Sequence, residues 1–336
     1  MFKLYSFLFF CFAIISFALL KPEKDQKFNG VNLVGTPEVQ DSSYCKPLLA
    51  NNVNSVAIVP FAYGNSETGQ LTLQTDWQWW GESFEGSRAF GKLAKDQGFK
   101  VMIKPQIWFD WGTYTGDVDL QTDEKWRQFE KGYSKYILTH AQNAADIQAD
   151  ILCIGTELKT FVLKRTDYWN QLIPKIKAIY KGQLTYAGNW DSYKLMPFWN
   201  DLDYIGVDAY FPVCEESSPT AETVAAGWQP HISELRSTSE THGKKVIFCE
   251  YGYRSTSHCA KTPWETKKGG EINLTAQAQA YEGLYSSVWQ EEFMAGGFLW
   301  KWYPDHDKAG GAENNRFTPQ NKPALDVIRN QYAKEQ

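Results

Sequence analysis

The strongest constraint on this chain is a rhythm. Eight short apolar runs recur along it, at Phe28–Val34, Val53–Val59, Lys100–Gln106, Ile151–Gly155, Leu184–Gly188, Tyr204–Val207, Lys245–Cys249 and Gly297–Trp300. They are nearly continuous in apolar residues rather than alternating, as strands of a parallel sheet covered on both faces are. The pieces between them carry helical signals. Ser83–Gln97 has apolar residues at helical spacing and stops at Gly98, and Thr122–Gln148 opens with Thr-Asp-Glu, a cap followed by an acidic first turn. Thr166–Tyr180, Thr220–Thr241 and Thr275–Glu292 fill later gaps, with Pro174 expected to kink or divide its helix. The tightest crossover is Asp191–Leu202, between the fifth and sixth runs. Strand and helix alternating eight times is the pattern of an α/β (β/α)8 barrel, a TIM barrel, forming one catalytic domain over residues 26–334. A doubly wound open sheet has less support, because no G-x-G-x-x-G follows the first run.

The N-terminus reads differently. Lys3 precedes seventeen uncharged residues, Leu4–Leu20, and Ser16 and Ala18 are small at the positions a leader peptidase reads. Residues 1–18 are expected to be a signal peptide or an uncleaved membrane anchor. Either places the domain outside the cytoplasm, secreted, periplasmic or tethered at the cell surface. Cys45, Cys153, Cys214, Cys249 and Cys259 contain no C-x-x-C pair, which removes zinc and thioredoxin-type motifs. Cys153 and Cys249 lie in strand-like runs and read as buried small side chains. Cys214 and Cys259 follow strands, and an oxidising compartment opens the way to a disulfide between them. With 34 Lys and Arg against 39 Asp and Glu, the net charge of −5 excludes a basic face for nucleic acid.

In a parallel barrel, function sits where strands deliver side chains at their carboxyl ends. The fourth run ends Gly155-Thr156-Glu157 and the seventh ends Phe248-Cys249-Glu250, so two carboxylates point into one mouth from well-separated strands. A charge at such a place costs several kcal/mol unless compensated. Two facing carboxylates are what glycoside hydrolysis requires, one as general acid and the other as nucleophile or base. The other strand ends supply Gln106, Trp108, Asp110 and Trp111, then Asn189, Trp190 and Asp191, then Asp208 and Tyr210, and finally Trp300, Lys301 and Trp302. Flat aromatics with amide and carboxylate groups suit a sugar, which offers apolar C–H faces and hydroxyl edges. Lys104 is a candidate charge partner at the mouth.

Fourteen Trp are more than a core requires. Trp77, Trp126, Trp169 and Trp289 are assigned to packing. Trp108, Trp111, Trp190, Trp300 and Trp302 are assigned to the mouth, and Trp79, Trp80 and Trp264 to loops that extend it. Asp305-His306-Asp307 is a weak metal candidate, because three adjacent loop residues do not converge readily. No metal or cofactor is expected. Asn273-Leu274-Thr275 matches a glycosylation sequon.

The segments Ile154–Leu158 (IGTEL), Tyr186–Asp191 (YAGNWD), Asp203–Pro212 (DYIGVDAYFP), Phe248–Ser255 (FCEYGYRS) and Phe298–Asp307 (FLWKWYPDHD) together resemble glycoside hydrolase family 113. That family belongs to the clan of retaining (β/α)8 glycosidases and is known for endo-β-1,4-mannanases. The similarity runs from about Phe28 to Pro323. It implies Glu157 as acid/base, Glu250 as nucleophile, a hydrogen bond from Tyr210 to the nucleophile, and Trp300 as the floor of the sugar site at the cleaved bond. One position departs from the clan, which mostly has Asn before the acid/base to hold the sugar 2-hydroxyl. Thr156 stands there, leaving Asn189 or Asp208 to take that contact.

The expected protein is an exported, monomeric, retaining glycosidase acting on β-1,4-linked mannan-type polysaccharides. The alternatives are a glycosidase of the same fold for another β-glycan, such as glucan or glucomannan, and a non-catalytic glycan-binding barrel. The pair Glu157 and Glu250 favours an enzyme.

Overall fold

The computed structural model describes residues 26–266 and 269–334, and the expected leader at 1–18 lies outside them. Eight parallel strands close a barrel in chain order: β1 (Phe28–Leu33), β2 (Ser55–Ile58), β3 (Lys100–Ile103), β4 (Ile151–Thr156), β5 (Gln183–Asn189), β6 (Ile205–Asp208), β7 (Val246–Tyr251) and β8 (Met294–Trp302). Each pairs with the next, and β8 returns to β1 with Phe28 opposite Gly296. All eight runs read from the sequence are barrel strands.

Helices α1 (Cys45–Ala50), α2 (Phe84–Asp96), α3 (Asp123–Asp146), α4 (Lys159–Lys164), α5 (Thr166–Ile179), α6 (Ala221–His242), α7 (Leu274–Ser286) and α8 (Pro323–Ala333) surround the barrel. Their ends carry local chemistry. The Ser83 hydroxyl accepts the Gly86 N–H at 3.0 Å, and Thr220 and Thr223 form a reciprocal capping box ahead of α6. Between β5 and β6 the short crossover holds only two single 3-10 turns. Pro174 does not divide α5. Pro174 and Asn170, one turn earlier, are both exposed, so the missing helical hydrogen bond falls on the solvent side of α5.

One element has no counterpart in the sequence reading. Phe61–Gly64 pairs antiparallel with Leu71–Thr72 and parallel with Gln106–Trp108, a three-stranded sheet beside the barrel mouth. The run Lys100–Gln106 is therefore two strands. Pro105 separates them, contributing no backbone donor at the break, while Gln106 N–H binds the Pro60 carbonyl at 2.9 Å.

The core has two layers. Phe28, Met102, Ile151, Cys153, Ile247, Cys249 and Phe298 fill the barrel, and a larger cluster packs between strands and helices. Trp126, Trp169 and Trp289 belong to the outer cluster, as do Trp199 and Trp228. Trp77 does not: it is 66% exposed, with its ring 4.4 Å from that of Tyr63. Cys214 and Cys259 are free thiols rather than a disulfide, although Val213 and Cys214 both donate to the Ala260 carbonyl. The Cys214 thiol turns to the Thr223 hydroxyl, at 3.6 Å. Asn273 caps α7, accepting from Ala276 N–H and donating to the Ser218 hydroxyl, which occupies the amide of the sequon. Among the described residues no helix is long and apolar enough to cross a membrane.

Gly227 lets α6 press on the loop after β6, because a Cβ there would lie 1.7 Å from the Val213 carbonyl oxygen. Gly227→Ala should lower unfolding free energy by about 1–3 kcal/mol through overpacking, outweighing alanine's helix preference of about 1 kcal/mol. Urea unfolding checks this, and a more stable variant would contradict the close approach.

Candidate active site

Met102 faces the barrel interior, and Lys104, two residues on, keeps that phase. Its side chain is 0% exposed, with Nζ 2.5 Å from Glu250 Oε1. Gln106 Nε2 reaches the same oxygen at 2.7 Å, and the Tyr210 hydroxyl donates to Oε2 at 2.7 Å. Glu250 thus accepts from three donors on two chain segments, an environment suited to an ionised carboxylate. Burial opposes the charge on Lys104, but the negative charge beside it, with Glu250 in direct contact, outweighs burial and holds the ammonium protonated, its pKa raised. Burial, reinforced by Glu250, likewise keeps the proton on Tyr210.

Glu157 follows β4 in a left-handed backbone conformation, φ +54°, rare for a residue with a side chain. Its N–H binds the Ala187 carbonyl at 2.8 Å and the next N–H, of Leu158, binds the Tyr186 hydroxyl at 2.7 Å, so β5 fixes the turn. The carboxyl is half-buried at the cleft wall. Its pKa is pushed up to about 8, first by desolvation and then by the charges of Glu250 and Asp191, against the pull of Lys104 and a hydrogen bond with Tyr114. The two carboxyls thus sit in unlike surroundings, Glu250 among donors and Glu157 among groups that favour its proton.

Both open on one cleft of about 690 Å³, with Gln106, Trp108, Trp111, Tyr114, Asn189, Trp190, Tyr210, Trp264 and Trp300 in its walls. The indole of Trp190 stacks on Trp264 at 5.1 Å and 19°. Of the expected sugar contacts, Trp108, Asn189, Trp190, Tyr210 and Trp300 line this cleft, and two do not. Asp208 points into the barrel with no exposed surface, and Trp302 is equally buried, stacked under His306 at 5.3 Å. Trp80 packs on Phe90, and neither it nor Trp79 reaches the cleft. Tyr114 was missed in the sequence, although the aromatic loop Trp108–Tyr114 was the signal for it. In the loop Asp305-His306-Asp307, Asp305 pairs with Lys308 and His306 contacts Gln320, so the three do not converge. Among the described residues no group of three His, Cys, Asp or Glu side chains is arranged to hold a metal ion.

The model of Glycoside Hydrolase Family 113 matches residues 47–322. The chain belongs to glycoside hydrolase family 113. It is accordingly placed among enzymes that hydrolyse O-glycosyl bonds. Solved structures agree on the fold. The GH113 β-mannanase AaManA from Alicyclobacillus acidocaldarius, in complex with ManMIm, superposes with a TM-score of 0.80 at 22% identity, over 92% of this chain and 98% of that one. A further GH113 β-1,4-mannanase gives 0.77 at 21% identity, over 92% and 99%. A β-glucuronidase from Faecalibacterium prausnitzii gives 0.61 at 14%, covering 92% of this chain and 49% of its own. No curated protein matches the chain.

Because Glu157 holds its proton to about 8 when folded and has an ordinary value of 4.5, the folded state binds the extra proton between those limits. Its contribution to stability is present at low pH and lost as pH rises through that window. Thermal midpoints followed against pH should fall across it, and Glu157→Gln should flatten the slope. An unchanged slope would remove the raised pKa.

Proposed function

We propose that this family 113 chain hydrolyses β-1,4-mannosidic linkages in mannan-type polysaccharides with retention of configuration, needing no cofactor. The observation that carries the reading is the unlike pair of carboxyls in one aromatic cleft. Glu250, held by Lys104, Gln106 and Tyr210, attacks the anomeric carbon. Glu157, its proton retained by burial and by its neighbour's charge, protonates the departing glycosidic oxygen.

Forming the glycosyl–enzyme ester neutralises Glu250. That removes one of the charges holding the proton on Glu157, so its pKa drops just when a base is needed to activate water. The same carboxyl then serves both half-reactions. Trp300 supplies an apolar face beside Glu250, and Asn189, whose Oδ1 already accepts the Trp190 N–H at 2.9 Å, keeps its amide N–H groups for a sugar hydroxyl. Thr156 is not placed to replace the clan's asparagine, since its hydroxyl donates to the Pro105 carbonyl at 3.2 Å. Export, by a cleaved leader or a tether, rests on the apolar segment Leu4–Leu20.

Incubation with mannan, glucomannan and cellulose, with product sizing and proton NMR of the newly released anomer, tests the reading. Mannan should be cut with the β-anomer appearing first, and kcat/KM should fall above about pH 8 as Glu157 loses its proton. Glu250→Ala should lose on the order of 10⁴-fold or more in kcat, with azide or formate restoring part of the turnover as inverted product. Glu157→Ala should spare substrates whose leaving groups need no protonation. Cleavage of cellulose alone would reassign the substrate, and no cleavage of any glycan would reassign the protein as a binder.

A further inference from the structure

Asp208 remains unexplained by that chemistry. It ends β6 directly opposite Glu250 in the parallel ladder, and Ala209 N–H donates to the Glu250 carbonyl at 2.7 Å. The side chain is completely buried, and neither carboxyl oxygen has a hydrogen-bond partner among the described residues. Around it stand Lys104 just after β3, Cys153 within β4 and Glu157 just after it, Tyr186 from β5, and Cys249 and Glu250 from β7, with Tyr114 and Tyr210 from the loops.

Three carboxyls therefore share one buried cation. Lys104 directs its ammonium to Glu250, so an ionised Asp208 would sit dry with no donor to either oxygen. Such a charge costs several kcal/mol, far more than a neutral acid in the same place. An ionised Asp208 would also compete with Glu250 for Lys104.

We infer that Asp208 works as a neutral carboxylic acid, a positioning residue near Lys104 that leaves the ammonium committed to Glu250. This rests on Glu250 being the nucleophile. With Asp208 and Glu157 each holding a proton, the direct pair of Lys104 and Glu250 is balanced one charge against one. The direction of its titration agrees: burial first, then the charge of Glu250, raises the Asp208 carboxyl well above its ordinary range, against Lys104.

The test combines spectroscopy with kinetics on the intact protein. Infrared spectra with ¹³C-labelled aspartate should show a protonated-acid carbonyl band at pH 7 that Asp208→Asn removes. Asp208→Ala should lower kcat/KM by about 100-fold, and the shape-conserving, uncharged Asp208→Asn should recover it to within about tenfold, with the basic limb of the pH profile in place. Absence of the band at pH 7 overturns the inference. So does a basic limb moved down by about one pH unit in Asp208→Asn, which would mean that a negative charge near Glu157 had been removed. Should that variant fail to fold, the band in the parent protein decides. The spectrum needs no turnover, so failure of this inference is distinguishable from failure of the glycosidase reading.

Discussion

The buried ammonium of Lys104 is the constraint from which the rest of the site follows. A lysine with no exposed surface is tolerated only where anions compensate it, and Glu250 supplies that contact directly. The pairing fixes the Glu250 carboxylate in one orientation, with Gln106 sharing Oε1 and Tyr210 donating to Oε2. A fixed anion there then acts on its neighbours. It raises the proton affinity of Glu157 across the mouth and of Asp208 beside it. One cation thus sorts three carboxyls into a charged one and two that favour their protons.

The side chains doing this arrive where the regular ladder breaks. Strand period alone would send Glu250, next after inward-facing Cys249, toward the helices. The register shift between Phe248 and Glu250 re-aims it, and the Asn32 amide, reaching from β1, takes the Cys249 and Phe298 carbonyls at 2.9 Å each. A second shift lies between Cys153 and Thr156 on β4, just before the left-handed backbone at Glu157. Pro105 makes a third break, freeing Gln106 to turn toward Glu250. Irregularity at these strand ends is how a closed barrel presents polar groups without opening its core.

This explains what the sequence did and did not disclose. Strands covered on both faces are apolar throughout, so all eight barrel strands were legible, as was Thr122 as a cap. Glu157 and Glu250 stood out because a carboxylate is costly at a strand end. Asp208 was selected as another polar strand end, yet β6 runs on against β5 from Val207 to Asp208 without a shift, the extra residue of the bulge lying in β7, and Asp208 stays inside. Whether a strand-end residue reaches the cleft depends on bulges, which leave no composition signal. The small sheet was hidden for a related reason: Lys100–Gln106 reads as one run, and the break at Pro105 becomes a new strand only when Phe61–Gly64 is there to pair with it. Trp77 and Trp302 were misassigned in opposite directions, because indole size alone does not separate a core residue from a cleft wall.

The tryptophan surplus divides accordingly, and its division bears on the proposed reaction. Around Glu250 the contacts are polar: an ammonium, an amide and a phenol hydroxyl. Glu157 has the Tyr114 hydroxyl bonded to its carboxyl, and the Trp190–Trp264 stack lines the same cleft. In the proposed mechanism the first environment holds the attacking group in place, and the second receives the half of the chain that departs. Stacking suits that half, since it binds a ring face without demanding one hydroxyl pattern and releases it without breaking a buried ion pair. Positional precision is concentrated where a bond forms, and tolerance where a product must leave.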